Sequence, residues 1–395
     1  MEVSKSLPHR VGLLRITIVL GILISAGNTQ VQAQVSENQG LTANAQISLL
    51  HDSNVENNTN ETSDNLLKFA PHIDFSSVIG KHRFNATYAG TFTKYSELSQ
   101  FDYDNHLATI GILFDHSAKL STKFTASYED SIEEPGSTNG VFTGDNEFNQ
   151  FNTSQVSAEI FYGTTKSIGQ VILSLDYNNI DFASTVQKFR NAEITRITGS
   201  YFYRVAPNTR LLVELANANF DYVDAERIDD QSSHQNTYST GIEWTSSAQT
   251  KSIFRVGYQT RDFDNPAVMD TSDLAYSLDL IWQPKTYTQV TFGATRANTE
   301  SAIQGTVGII TNTYSIDLQH QLSSLLVLDS LIQYAEDDIS IRTDTNTNFQ
   351  LGLTYSLKYW LDISLSYALE NRQSDNSLFD YDSELIQLSF ISTFD

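Results

Sequence analysis

Cysteine is missing from all 395 residues of the chain. Without thiols there is neither a disulfide framework nor a thiolate zinc centre, so the fold is not closed by covalent cross-links. Proline is scarce, at six residues, and no Pro- or Gly-rich stretch marks a linker. Both point to one continuous architecture rather than a string of domains. After the first thirty residues no apolar run approaches the roughly 20 residues that a membrane helix needs. If the chain crosses a bilayer, it crosses as strands. Basic residues are few, 24 Lys and Arg against 47 Asp and Glu, for a net charge of −23. That balance argues against nucleic acid as a partner, because phosphates are neutralised by Lys and Arg.

Catalytic patterns are missing too. Neither G-x-S-x-G nor H-E-x-x-H occurs, and no phosphate loop is present. The eight histidines are scattered; His51, His72, His82 and His106 fall on different strands or strand ends and read as structural or solvent-facing. Pairs such as Asp337-Asp338 and Glu133-Glu134 follow from an acidic composition, and Asp229-Asp230 and Asp262–Asp264 read as solvated acidic loops before they read as calcium sites. The expectation is no enzyme, no cofactor and no metal.

What the chain does have is alternation. In Asn348–Leu369, Leu351, Leu353, Tyr355 and Leu357 share one strand face and Gln350, Gly352, Thr354 and Ser356 the other; after a turn at Lys358–Leu361, Ile363, Leu365, Tyr367 and Leu369 again oppose small and polar residues. Such segments recur about every twenty residues from Thr42 to Phe394, giving about eighteen strands, among them Leu325–Ala335 and Asn348–Leu357. Short connections, such as Gly80-Lys81 and Pro284–Thr286, alternate with long Asp/Asn/Ser/Gly-rich ones, and both termini fall on the short side. This is the layout of an all-β, single transmembrane antiparallel up-and-down β-barrel in a cell outer membrane, with short periplasmic turns and longer extracellular loops.

The N-terminus supplies an address. Lys5, Arg10 and Arg15 precede the apolar run Ile16–Ile24, and Val31-Gln32-Ala33 fits a cleavage site, so residues 1–33 read as a signal peptide and 34–395 as the barrel. Tyr95, Tyr128, Tyr177, Tyr222, Tyr258, Tyr334 and Tyr367 lie where strands enter long loops, and Trp244, Trp282 and Trp360 beside short turns. Two interfacial girdles are expected from these positions.

Charges opposite the apolar face cannot point to lipid, where Arg or Lys costs roughly 2–4 kcal/mol at the midplane, and must line an interior. The lumen-lining candidates are Arg196, Arg204, Arg210 and Arg255 from middle strands and Asp279, Asp317, Asp329 and Asp362 from later ones, setting a basic wall roughly across from an acidic one. Glu159, Asp176, Glu214 and Glu243 interleave with the arginines, so internal ion pairs are the competing reading. The longest loop, Asp130–Gln150, carries Gly136, Gly140 and Gly144 and is placed either as a constriction in the pore or as an exposed surface loop.

His51-Asp52-Ser53-Asn54-Val55, an Asn/Thr/Glu-rich loop and Leu67-Lys68-Phe69-Ala70-Pro71 resemble the opening of a family of outer-membrane β-barrel porins often encoded with capsule and exopolysaccharide biosynthesis genes. The likeness runs through the hairpins to Phe394, although Asp395 leaves that terminal aromatic penultimate. It implies a polar-lined conduit taking part in exopolysaccharide or capsule export or surface assembly. The residues alone equally allow a general or sugar-selective diffusion porin, or a structural or adhesive surface barrel. Expected partners are outer-membrane lipid and lipopolysaccharide, a polysaccharide or small polar solute, and periplasmic export components.

Overall fold

A computed structural model of the chain describes residues 39–133, 135–137, 148–223, 230–247, 249–299, 308–339 and 341–394. The predicted signal peptide, residues 1–33, lies outside them, as do Gly140, Gly144 and Asp229.

Among the described residues the chain forms β1 (Gly40–Asp52), β2 (Asp64–Ile79), β3 (His82–Tyr95), β4 (Tyr103–Asp115), β5 (Leu120–Ile132), β6 (Gln150–Tyr162), β7 (Gly169–Phe182), β8 (Ala192–Ala206) and β9 (Thr209–Tyr222). It continues as β10 (Ser233–Ser247), β11 (Thr250–Phe263), β12 (Thr271–Lys285), β13 (Thr288–Thr299), β14 (Ile309–Gln321), β15 (Leu326–Ile339), β16 (Arg342–Lys358), β17 (Leu361–Ser374) and β18 (Tyr381–Phe394). Each strand pairs antiparallel with the next, and β18 closes on β1, with Phe394 opposite Ala43 and Leu385 opposite Asp52. The result is a closed 18-stranded barrel.

The alternation fixes which face is which. Ile47 stands between Phe69 of β2 and Phe390 of β18 and is 50% exposed, whereas its neighbour Ser48 faces Lys68 and Ser389 and is 0% exposed. The apolar stripe therefore points out to lipid and the polar stripe into the lumen. Stepping between Cα partners once around the wall returns to β1 about 22 residues along, a stagger that gives a strand tilt of roughly 40° and a backbone radius of about 17 Å. A wall of this size is wide enough for an aqueous channel.

One end carries short turns, from residues 80–81 to 359–360; the other carries the long connections, of which 133–149 is the longest. One expected long loop is absent. β15 continues past Ala335 to Ile339 and β16 begins at Arg342 rather than at Asn348, leaving only residues 340–341 between them. The polar run reads as loop in the sequence, but its side chains find partners at this end: Thr311 Oγ1 donates to Asp337 Oδ1 (2.8 Å), and two arginines hold Asp344. With those groups satisfied the backbone ladder goes on.

Tyr128, Tyr177, Tyr258, Tyr334 and Tyr367 take the outward register and are joined there by Tyr238, Tyr276 and Tyr314. The Tyr276 and Tyr314 hydroxyls meet at 2.8 Å. Trp244, Trp282 and Trp360 are outward-exposed beside the short turns. Tyr95 and Tyr222 depart from the expected girdle because each falls on the opposite parity. Tyr95 turns inward to pack on Phe101 and Phe148, with ring centroids 6.3 Å away in both cases. Tyr222 sits opposite Ala192 on the inward register.

Candidate functional site

All eight charged residues singled out in the sequence take the inward register: Arg196 and Arg204 on β8, Arg210 on β9, Arg255 on β11, Asp279 on β12, Asp317 on β14, Asp329 on β15 and Asp362 on β17. They do not form two facing walls. The basic strands and the acidic strands are neighbours that abut at β11 and β12, and only β8 and β17 lie diametrically opposite.

Two of the arginines are structural. Arg204 donates to the carbonyls of Pro207, Thr165 and Ser167, tying two short turns together. Arg210 lies over the Phe202 ring at 4.4 Å, donates to Gln170 Oε1 at 2.6 Å and pairs with Glu243 at 2.5 Å. Lys123 and Glu159 pair at 2.9 Å on the same arc, so acid and base are interleaved from β5 to β11. Arg255 crosses a close approach: a Cβ on Gly241 would stand 2.3 Å from the Phe254 carbonyl and 3.3 Å from Arg255 Cγ, so glycine makes room for this side chain.

The acidic arc is different. Between the long-loop rim and the short turns, β12 to β17 carry no inward Lys or Arg among the described residues. Once the tilt is allowed for, Asp279, Asp317, Asp329 and Asp362 stand at about the same height. Gln319 donates to Asp329 at 3.2 Å. The inner surface of this arc is therefore a negative girdle set in a polar wall, whose field acts on any ion in the bore.

The long-loop end holds the densest polar network. Pro135 and Gly136, which follow β5, contact the β1–β2 connection and the ends of β17 and β18 on another part of the wall. Arg372 of β17 donates to the Gly136 carbonyl, and Asn57 Nδ2 to the Pro135 carbonyl at 3.0 Å. Gly136 has φ +75°, and a Cβ there would lie 2.5 Å from Asn57 Cβ and 2.7 Å from Tyr381 Cε1, so only glycine fits both the backbone and the space. Contacts from β5 to β17 cannot follow the wall; the segment crosses the mouth.

It is held at each end. On the near side, Glu133 is gripped by Arg190 through two hydrogen bonds of 2.9 and 2.7 Å, and Arg190 lies 4.1 Å over Phe182. At the far side, Arg372 and Arg342 converge on one oxygen of Asp344, at 2.5 and 2.9 Å, with Asp344 fully buried. The returning stem stacks Phe148 on Phe101, centroids 4.9 Å apart, over Tyr103. Asn54, also fully buried, donates to the carbonyls of Asn58 and Asp382 and draws the β1–β2 connection against β18. Asp64, beyond the outer aromatic belt, is buried, which by itself opposes ionisation. The backbone N–H groups of Leu98, Glu97 and Asn65 at 2.7–3.0 Å outweigh that and hold its carboxyl below the usual aspartate value of 3.8.

Comparison with known proteins decides the family. The family model described as Putative beta-barrel porin 2 matches residues 41–393, nearly the whole barrel. The chain belongs to this family. Among solved structures, the porin is similar to OccK2 (OpdF) of Pseudomonas aeruginosa, with 8% identity, a TM-score of 0.51, and coverage of 91% of this chain and 99% of that one. It is also similar to OpdK of Pseudomonas aeruginosa, solved with vanillate, at 9% identity and a TM-score of 0.49 over 90% and 99% of the two chains. At such identities the likeness to OccK2 speaks for the fold alone. No curated protein matches. The porin is therefore an outer-membrane β-barrel, whose short turns are periplasmic and whose crossed mouth is extracellular.

The mouth was not named from the sequence as a site, apart from the Asp130–Gln150 loop. Glu133, Gly136, Arg190, Asp344 and Arg372 come from four separate connections or strands and meet only when the barrel closes. One signal was available: Arg342 and Asp344 break the Thr/Asn pattern of Arg342–Asn348, with two opposite charges two residues apart on one strand face.

Proposed function

We propose that this porin is a passive diffusion channel for small polar solutes, with a preference for cations, narrowed at its extracellular mouth by the crossing segment. The observation that carries the reading is a predominantly polar inner face, with Pro135 and Gly136 reaching across one end to β17 and β18. The arc of Asp279, Asp317, Asp329 and Asp362 supports the cation preference. Solute entry into proteoliposomes tests the function. Small sugars and amino acids should enter readily and polymers should not; equal exclusion of all solutes would overturn it.

Exopolysaccharide or capsule export rests on the sequence resemblance alone. A polymer would have to thread the mouth where Arg372, Asn57 and Tyr381 hold the crossing segment, which favours small solutes. A deletion strain with unchanged surface polysaccharide would remove that reading. Lipid and lipopolysaccharide are the partners we assign to the outward face, on the strength of its two aromatic belts.

A further inference from the structure

Among the described strands, Arg296 of β13 is the one arginine on the outward register. It stands opposite Tyr276 of β12 and Asn312 of β14, at the height of the outer aromatic belt. Leu274 and Leu278 flank it diagonally on β12, and Ile310 and Tyr314 on β14; none of these neighbours carries a charge. Its Nη1 donates to Asn312 Oδ1 at 2.9 Å, and among the described residues Nε and Nη2 make no hydrogen bond. The outward carboxylate on this row, Glu336 of β15, lies beyond Asn312, whose Nδ2 donates to it at 3.3 Å. Asn312 thus separates acid from base and leaves most of the guanidinium donors unclaimed.

Two tyrosines complete the patch. Ala294, one step below Arg296 on the same face, is the partner of both Leu278 and Tyr314. Its methyl side chain leaves room for the Tyr276 and Tyr314 rings to lean together over β13, where their hydroxyls meet at 2.8 Å. In such a contact one hydroxyl donates and the other keeps its proton for a further acceptor. Tyr314 is 46% exposed on the lipid side. A guanidinium and a free hydroxyl proton therefore lie side by side where the wall passes from the apolar band to the polar rim. An arginine on the lipid face is tolerated at that height and becomes costly toward the midplane. Lys94 of β3, also outward at this end, is already paired with Asp102 at 3.2 Å.

We propose that Arg296, with Tyr276 and Tyr314, docks the phosphate of an outer-leaflet glycolipid of the lipid A class. The guanidinium takes two phosphate oxygens through parallel hydrogen bonds from Nε and Nη2, and the free tyrosine hydroxyl donates to a third. The acyl chains then lie down the apolar stripe below, beginning at Leu278 and Ile316. Charge favours this place over the rest of the rim, because the chain is strongly acidic and an anion meets carboxylates such as Glu336 on the neighbouring strand. A lipid without the phosphate keeps the chain contacts and loses the contacts that select the site. The proposal rests on the outward face being the lipid face, as assigned above, and names the residues and the chemical group through which one lipid is held.

The test uses the purified full-length porin in detergent, with its folded state checked by heat-modifiable gel migration, titrated with phosphorylated or fully dephosphorylated lipid A and read by native mass spectrometry. The proposal expects phosphorylated lipid A to be retained and the dephosphorylated form to bind at least roughly tenfold more weakly. Arg296→Gln should weaken the phosphorylated lipid by about tenfold, and the Tyr276→Phe, Tyr314→Phe pair by about threefold or more, with the dephosphorylated lipid unaffected in both. Lys94→Gln should change neither lipid. Equal retention of the two lipids, or wild-type retention in folded Arg296→Gln, overturns the site and leaves the lipid face standing. An equal loss in Lys94→Gln overturns it as well, by showing that any outward base serves. Release of bound lipid A by millimolar inorganic phosphate overturns the lipid as occupant. A folded barrel that retains neither lipid overturns the site and the lipid assignment together.

Discussion

Arg372 Nη2 and Asp344 Oδ2 meet at 2.5 Å at the extracellular end of neighbouring strands, with their side chains 2% and 0% exposed. The same guanidinium reaches on to the carbonyl of Gly136, a residue that follows β5. One buried ion pair therefore joins the wall to the segment that crosses the mouth.

Removing the anion from that cluster leaves two arginines with an uncompensated buried charge. Asp344→Ala is expected to destabilise the mouth by about 3–5 kcal/mol. Hydrogen exchange should show the ends of β16 and β17 together with Glu133 and Gly136 losing protection, with the periplasmic half unchanged. Uniform loss along β16 and β17 would show that the pair serves the whole wall.

Gly136 adopts φ +75° between Asn57 and Tyr381. Gly136→Ala carries a left-handed penalty of about 1–2 kcal/mol in addition to the collision. The crossing segment should leave its seat, raising single-channel conductance and admitting larger solutes into liposomes. An unchanged size cut-off would mean that the segment does not narrow the bore.

Asp64 ties the start of β2 to the connection ahead of β4 through the amides of Leu98 and Glu97. Its carboxyl is held below the ordinary value, so the stabilisation it gives is fully present above pH 3.8 and is lost as pH falls through its lower folded value. Exchange protection of Glu97 and Leu98 should therefore persist at pH 5 and fade only below about pH 4. Asp64→Asn should lower it at every pH, by about 1–3 kcal/mol.

The two faces of β17 differ by one residue. Leu365 is 54% exposed on the lipid side, and Ser366 faces the lumen opposite Gly352. Leu365→Arg should cost roughly 2–4 kcal/mol and impair insertion, visible as loss of the heat-modifiable folded band on a gel, while Ser366→Arg should fold. Equal impairment of both would contradict the assigned faces.

Much of the wall was legible because period-two alternation is a local signal: Leu351 and Leu365 name their face from their immediate neighbours. Parity is also where reading by position failed. Tyr95 and Tyr222 end their strands at the long-loop side, but their parity turns each inward. The β15–β16 extension was missed because Glu336–Asp338 and Thr343–Thr345 look like loop until Thr311 and Arg372, from other strands, supply partners. Lumen charge was legible residue by residue, but its compensation was not. Nothing local says that Arg210 is taken up by Glu243 or Arg204 by turn carbonyls, whereas Asp329 accepts from the Gln319 amide.

The reversal potential of single channels under a KCl gradient in planar bilayers tests the central claim most directly. The account predicts discrete conductance with potassium favoured over chloride, a preference that falls when Asp279, Asp317, Asp329 and Asp362 are replaced together by Asn. Chloride preference in the native porin, or no conductance even with Gly136→Ala, would contradict it.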